Sequence, residues 1–179
     1  MAESFSNKVG RAIGIVTSST GASVGVTTNL ITGISTAGVS VGDLVDTGNY
    51  LAGTKVSSIG SGQVVVDRDS TNSASAASQI VKFMTPTVLY TSPSGVKTIL
   101  IGGTFANNTN GQVGLTVELL DNSTGIAVAV ASKIPVPAGS SFVISDTGKT
   151  LLESLDAIKV YCDTANAIDA NISILTGVN

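Results

Sequence analysis

Few residues in this chain could perform catalysis. Its 179 residues include no histidine and no tryptophan, and they include one cysteine, Cys162. Histidine is the commonest general base and the commonest metal ligand, so the usual nucleophilic and metal-binding arrangements lack their central residue. Cys162 has no histidine to activate it and no second cysteine for an intrachain disulfide. The sequence therefore favours a structural or binding protein over an enzyme.

The residues around Cys162 predict a structural role for it. Ile158, Val160 and Cys162 occur at every second position, as on one face of a β-strand. Unpaired cysteine is among the most often buried residue types, and it packs as a small apolar side chain. We expect Cys162 to lie in a hydrophobic core.

Gly148, Lys149 and Thr150 are similar to the end of a phosphate-binding loop. The full motif requires a first glycine at the position occupied here by Val143, and a helix after the loop. The residues that follow read as a strand. We interpret these residues as a turn before that strand.

Carboxylates offer the remaining candidate chemistry. Asp67 and Asp69, or Asp43 and Asp46, could supply oxygen ligands to calcium. Their spacing does not match an EF-hand loop, so solvated turn carboxylates are the simpler interpretation. Asp43 follows Gly42 and is interpreted as a turn residue that bonds to its own backbone. The sequence predicts no catalytic residue, no cofactor and no metal site.

Composition favours a protein held in an assembly. Apolar residues make up 42% of the chain and charged residues 12%, about half the charged fraction of an average soluble domain. A surface of Ser, Thr, Asn and Gly gives weak repulsion between free molecules and suits packing against partners. The net charge is −3, and the nine basic residues are scattered. This distribution argues against direct binding of nucleic acid.

Two further absences shape the expected location. No apolar stretch approaches the length of a membrane span, so no membrane partner is expected. The N-terminus shows no basic region followed by a long apolar run, as a secretory signal would. We therefore expect synthesis and assembly in the cytoplasm.

The distribution of Val, Ile and Thr between frequent turn residues predicts an all-β protein. Turn signals recur about every eight to twelve residues. We expect three parts: an N-terminal arm and linker at 1–22, a small β module at 24–83, and an antiparallel β-sandwich of the jelly-roll kind at 84–179. Within the first part, residues 18–23 are interpreted as a flexible link.

The N-terminal arm carries the predicted binding residues. Phe5, Val9 and Ile13 are spaced by four, which could place them on one face of a short helix. Gly10 and Gly14 weaken that interpretation, and the alternative is an extended arm. Such a short segment has no second face on which to bury three apolar side chains. We predict that Phe5, Val9 and Ile13 dock on a partner or a neighbouring subunit.

Several short stretches resemble small virion structural proteins of tailed bacteriophages, including marine and cyanobacterial phages. They are residues 1–10 (MAESFSNKVG), 88–95 (VLYTSPSG), 135–141 (PVPAGSS) and 152–160 (LESLDAIKV). In simpler relatives the N-terminal stretch continues almost directly into the strand at 88–95, so residues 24–83 resemble an inserted module. Within it, residues 41–45 and 52–56 are similar to a β-module repeated in phage fibre and decoration proteins.

The resemblance implies a location in the virion. Our first hypothesis is a capsid decoration, or cement, protein that binds the outer shell and stabilises it by non-covalent bridging contacts. Its expected partners are the major capsid protein or other virion proteins, and copies of itself, with a trimer as the expected homo-oligomer. The alternative is a tail, fibre-base or adsorption-apparatus protein. A third hypothesis is a host-surface adhesin whose module binds glycan.

Overall fold

The computed structural model describes residues 3–144 and 149–178. Within these ranges the chain forms strands and no helix, so no helix there could cross a membrane. The strands are β1 (Ser4–Ile13), β2 (Ile15–Val24), β3 (Leu30–Thr32), β4 (Leu44–Asp46), β5 (Val56–Gly60), β6 (Gln63–Val66), β7 (Ala76–Thr85), β8 (Thr87–Thr91), β9 (Lys97–Asn107), β10 (Val113–Asp121), β11 (Ile126–Val136), β12 (Ser141–Ile144), β13 (Thr150–Leu152), β14 (Ala157–Cys162) and β15 (Ile168–Val178). They divide into two compact units, one up to Gly14 and from Thr87 onward, the other Ile15–Pro86.

The first unit is a jelly roll. One sheet has the order β1-β15-β9-β12, with β13 also paired to β9, and the other has the order β11-β10-β14-β8. All of these pairings are antiparallel. With β12 and β13 counted as one strand, the unit's strands run 1-8-3-6 in one sheet and 5-4-7-2 in the other. This order is the double Greek key of an eight-stranded jelly roll, so the expected fold class is confirmed.

The two sheets of the jelly roll enclose one hydrophobic core. Phe105 and Ile172 contribute to it from the first sheet, and Leu115 and Val160 from the second. Alternate residues of each strand point inward, which is why the period-two pattern of the sequence predicts the buried face. Cys162 belongs to this core, as predicted.

The second unit is a small closed barrel with its own core. Its six strands follow the order β4-β7-β2-β3-β6-β5. The amide of Val45 donates to the carbonyl of Thr54, and the amide of Val56 donates to that of Asp43, each at 2.9 Å. These bonds join β4 to the beginning of β5 and close the sheet. Phe83 is fully buried among the aliphatic side chains inside.

The described residues of the expected arm, 3–22, do not form a separate arm. Ser4–Ile13 is strand β1, which pairs with β15 at one edge of the jelly roll. Residues 18–23, expected to be a flexible link, lie within β2 of the barrel. A spacing of four is also an even number, so it suits one face of a strand as well as one face of a helix. Pairing with β15 supplies the partner that a short isolated segment lacks.

The barrel begins and ends on neighbouring strands. Ile15 lies opposite Thr85 in the pairing of β2 with β7. That residues 24–83 and 84–179 are separate domains remains a prediction. The pairing of β2 with β7 indicates that a fragment used to test it should run from residue 15 to residue 86. We expect residues 15–86 alone to unfold cooperatively, because the closed sheet and its core lie within that range.

The test is thermal or urea unfolding of the isolated 15–86 fragment. Phe83→Ala provides the control, and it should lower the free energy of unfolding by about 3–5 kcal/mol because Phe83 is fully buried. A fragment that unfolds without a cooperative transition would contradict the prediction.

Candidate docking face

An apolar row crosses the outer face of the first jelly-roll sheet. Phe5 lies opposite Leu175, which lies opposite Ile99, which lies opposite Leu151. Residues directly opposite one another in antiparallel strands point to the same face of the sheet. Ile174, the neighbour of Leu175, is buried in the core. The four residues of the row therefore point away from the core.

A second row runs parallel to the first, four positions along β1. Val9 lies opposite Asn171, which lies opposite Thr104, which lies opposite Val143. We call the residues of the two rows the docking face. They are Phe5, Val9, Ile99, Thr104, Val143, Leu151, Asn171 and Leu175. The set includes no charged residue, and its most exposed apolar members are Val9 at 77% and Phe5 at 64%.

Local contacts fasten β1 at the edge of this face. Between the two rows, the hydroxyl of Ser173 donates to the Asn7 side-chain carbonyl at 2.9 Å. The amide of Ala12 donates to the Asp169 carboxylate at 2.8 Å. Phe5 and Val9 are thus presented on a paired strand, so a partner would not have to order a free segment on binding.

The dimensions of the docking face suit the centre of an interface. Strands lie about 4.8 Å apart, so each row of four spans about 14 Å, and four residues along a strand cover about 13 Å. Exposed apolar patches without charge mark interaction sites when polar residues surround them. A stable interface covers about 800 Å² on each partner. The two rows would supply its apolar core, and the polar residues beside them, among them the ion pair of Lys97 with Glu153 at 3.6 Å, would supply its rim.

The structure separates the three predicted binding residues. Phe5 and Val9 lie on the docking face, but Ile13 is 3% exposed and belongs to the jelly-roll core. The prediction that Ile13 docks on a partner is therefore wrong. The register between β1 and β15 shifts between Gly10 and Ile13, and this bulge turns Ile13 to the inner face.

The residues considered for metal and phosphate chemistry have local roles. Asp67 accepts a hydrogen bond from the amide of Lys55 at 2.8 Å, and Asp43 accepts one from the amide three residues before it, also at 2.8 Å. No group of three or more potential metal ligands occurs in the described part of the chain. Gly148 lies outside the described residues, and Thr150 begins a strand.

One titratable group in the barrel has a strongly shifted pKa. The hydroxyl of Tyr50 donates to the carbonyl of Thr28 at 3.1 Å. Burial, and secondly the negative charge of Asp69, raise the pKa of Tyr50 from 10.0 to about 12. The folded state therefore holds this proton more tightly than the unfolded state. Its contribution to stability is complete below pH 10 and is lost as the pH rises toward about 12.

We expect the barrel to lose stability between about pH 10 and pH 12 more steeply than a Tyr50→Phe variant. At neutral pH the variant should be less stable by about 1 kcal/mol, because it lacks the hydrogen bond to Thr28. The difference in the free energy of unfolding between the wild type and Tyr50→Phe should become smaller as the pH rises. Urea unfolding of both proteins across this range gives the comparison, and parallel curves would show that Tyr50 does not cause the loss.

No family model matches this chain, and no curated protein matches it. Among solved structures it is similar to a pentameric capsid protein isolated from metagenomic phage sequences, at 14% identity and a TM-score of 0.29, over 50% of this chain and 55% of that one. The chain thus spans about half the length of that protein. A chain of the T13 particle of infectious bursal disease virus is similar at 8% identity and a TM-score of 0.36, over 96% of this chain and 70% of that one. A family 29 carbohydrate-binding module is similar at 12% identity and a TM-score of 0.27, over 91% and 92%.

Likenesses at these TM-scores extend to proteins as different as capsid proteins and a carbohydrate-binding module. They carry no argument about what this chain binds. The jelly-roll assignment rests instead on the strand order and pairing described above.

Proposed function

We propose that this protein is a capsid decoration protein of a tailed bacteriophage, bound to the outer shell through the docking face. The observation that carries the proposal is the pair of uncharged rows, in which Phe5 and Val9 are exposed on a paired strand. The stretches that resemble phage virion proteins supply the partner class. That partner is the major capsid protein or another virion protein.

The proposed mechanism is binding without chemistry. Contacts that bridge neighbouring capsomers raise the work needed to separate them. Each contact is modest, but repetition over the capsid multiplies its effect. A homo-oligomer, expected as a trimer, would engage several sites at once. The net charge of −3 suits the outside of the shell better than the side that faces DNA.

Substituting one exposed residue of the docking face tests the proposal. Val9→Asp should leave the fold intact, because Val9 is mostly exposed, and should weaken binding to particles at least tenfold, because burying an unpaired carboxylate in an apolar contact is costly. The measurement is co-sedimentation with particles that lack this protein. Val26→Asp, at an exposed valine of the barrel, is the matched control.

Two results would contradict the proposal. One is a Val9→Asp protein that binds particles as tightly as the wild type. The other is a virion reconstruction in which density for this chain is confined to the tail. The second result would favour the tail, fibre-base or adsorption-apparatus alternative, to which the resemblance of residues 41–45 and 52–56 also points.

A further inference from the structure

Strand β11 is a free edge of the second jelly-roll sheet. Within the described residues it pairs with β10 and with no other strand. An edge strand presents unpaired amides and carbonyls, and proteins usually shield such edges with charges, proline, bulges or short strands. In β11 the charge and the proline fall in its second half, which contains Lys133 in a left-handed conformation and Pro135, and a bulge lies at Val130. The stretch from Ile126 to Ser132 carries no charge.

The other edges of the jelly roll differ from β11. Strand β1 carries Lys8 and Arg11. Strand β8 has five residues, and the described part of β12 has four. The long uncharged edge is therefore a particular property of β11 among these strands.

Apolar side chains of β11 are left uncovered beside this edge. Val128 lies opposite Leu119, whose side chain packs against the core, so Val128 points to the inner face of the sheet. Ile126 lies two residues before Val128 on the same strand, so its side chain points to the same face. Both are more than half exposed, whereas Ala131 on the same strand is buried. The register with β10 is regular from Ile126 to Ala129 and bulges at Val130.

We propose that β11 pairs antiparallel with β11 of a second copy of this chain. Unpaired backbone groups call for an extended strand as the partner. From Ile126 to Val130 large and small residues alternate, and this alternation is symmetric about Val128. In an antiparallel pairing centred there, Ile126 would lie opposite Val130 and Ala127 opposite Ala129. No like charges would meet, so the edge is complementary to itself and the contact has two-fold symmetry.

This contact does not depend on the proposed function or on any three-fold association. It covers less than the roughly 1,000 Å² of a stable interface. We therefore expect weak, concentration-dependent pairing, with a Kd between about 1 μM and 1 mM. Pairing would be strongest where copies are held close together.

Sedimentation analysis of the full chain over a concentration series tests the inference. The wild type should form dimers, and Val128→Lys should raise the Kd at least tenfold by placing two positive charges opposite each other. Val41→Lys is the control, since Val41 is 64% exposed and lies in a turn of the barrel, where the new charge meets no cross-strand partner. Hydrogen exchange of wild-type residues 126–130 should slow as the concentration rises, a readout that requires no variant.

Three outcomes would overturn the inference. The first is a wild type that stays monomeric at about 1 mM, where even weak pairing becomes visible. The second is association that Val128→Lys leaves unchanged, or that Val41→Lys weakens equally. The third is a rate of amide hydrogen exchange at residues 126–130 that does not change with the concentration of the free protein. It would overturn the inference even if binding to particles slowed the exchange of these amides. That result would assign the edge to a strand of another protein.

Discussion

Deletion of residues 1–13 should unfold the jelly roll and leave the barrel at 15–86 folded. The deletion removes the edge strand paired with β15 and the buried side chain of Ile13. Loss of a buried isoleucine alone costs about 2–5 kcal/mol, and a domain has about 5–15 kcal/mol in total. Removal of the strand's hydrogen bonds adds to that loss.

Hydrogen exchange followed by mass spectrometry measures this effect in both units at once. Amides of β15 and β9 should lose protection, while those of β2 and β7 keep it. As a control, Phe5→Ser with Val9→Ser should change the free energy of unfolding by at most about 0.5 kcal/mol for each exposed site. A deleted protein that keeps a protected jelly roll would show that β1 is dispensable for folding.

Substitution of Asn107 by aspartate should also have a large effect. Asn107 is 2% exposed, and its side-chain amide donates to the carbonyls of Gly111, Val136 and Pro137 at 2.7, 2.9 and 3.1 Å. Its side-chain oxygen accepts bonds from the amide and hydroxyl of Thr109. Aspartate would turn an acceptor toward three carbonyl oxygens. We expect a loss of about 3 kcal/mol or more, since buried polar groups would lose their partners.

Urea unfolding measures the loss, with the denaturant slope as a check that the unfolded states are comparable. Asn108→Asp introduces the same charge at an exposed neighbour and should change stability little. Asn107→Ala, which removes the donors without adding a charge, should fall between the two. Equal stabilities of Asn107→Asp and Asn108→Asp would contradict the role assigned to Asn107.

The sequence predicts the elements whose character is local. In Val113–Leu120 the alternation of apolar and other residues predicts a strand, and β10 covers it and buries Leu115 and Val117 in the core. The residues at 107–111 predict a turn, and Asn107 does bond within it. Its bonds to Val136 and Pro137 could not be predicted, because they depend on a strand connection that the tertiary fold places beside it.

The N-terminus and the docking face show where local pattern is insufficient. The spacing of Phe5, Val9 and Ile13 fits helix and strand alike, and pairing with a strand more than 150 residues later decides between them. Leu175 and Leu151 join Phe5 in one row only through that pairing and through the pairings of β9 with β15 and β13. Sequence alternation identifies two faces of a strand, but packing decides which face remains uncovered.

The adjacency of Ile15 and Thr85 has a consequence for how such proteins diversify. A segment whose ends already meet can be gained, lost or exchanged by one recombination event, because the host fold needs to be interrupted at a single connection. The strand order of the jelly roll is complete without residues 15–86. Replacement of this segment can therefore change the barrel without altering the strands that build the jelly roll.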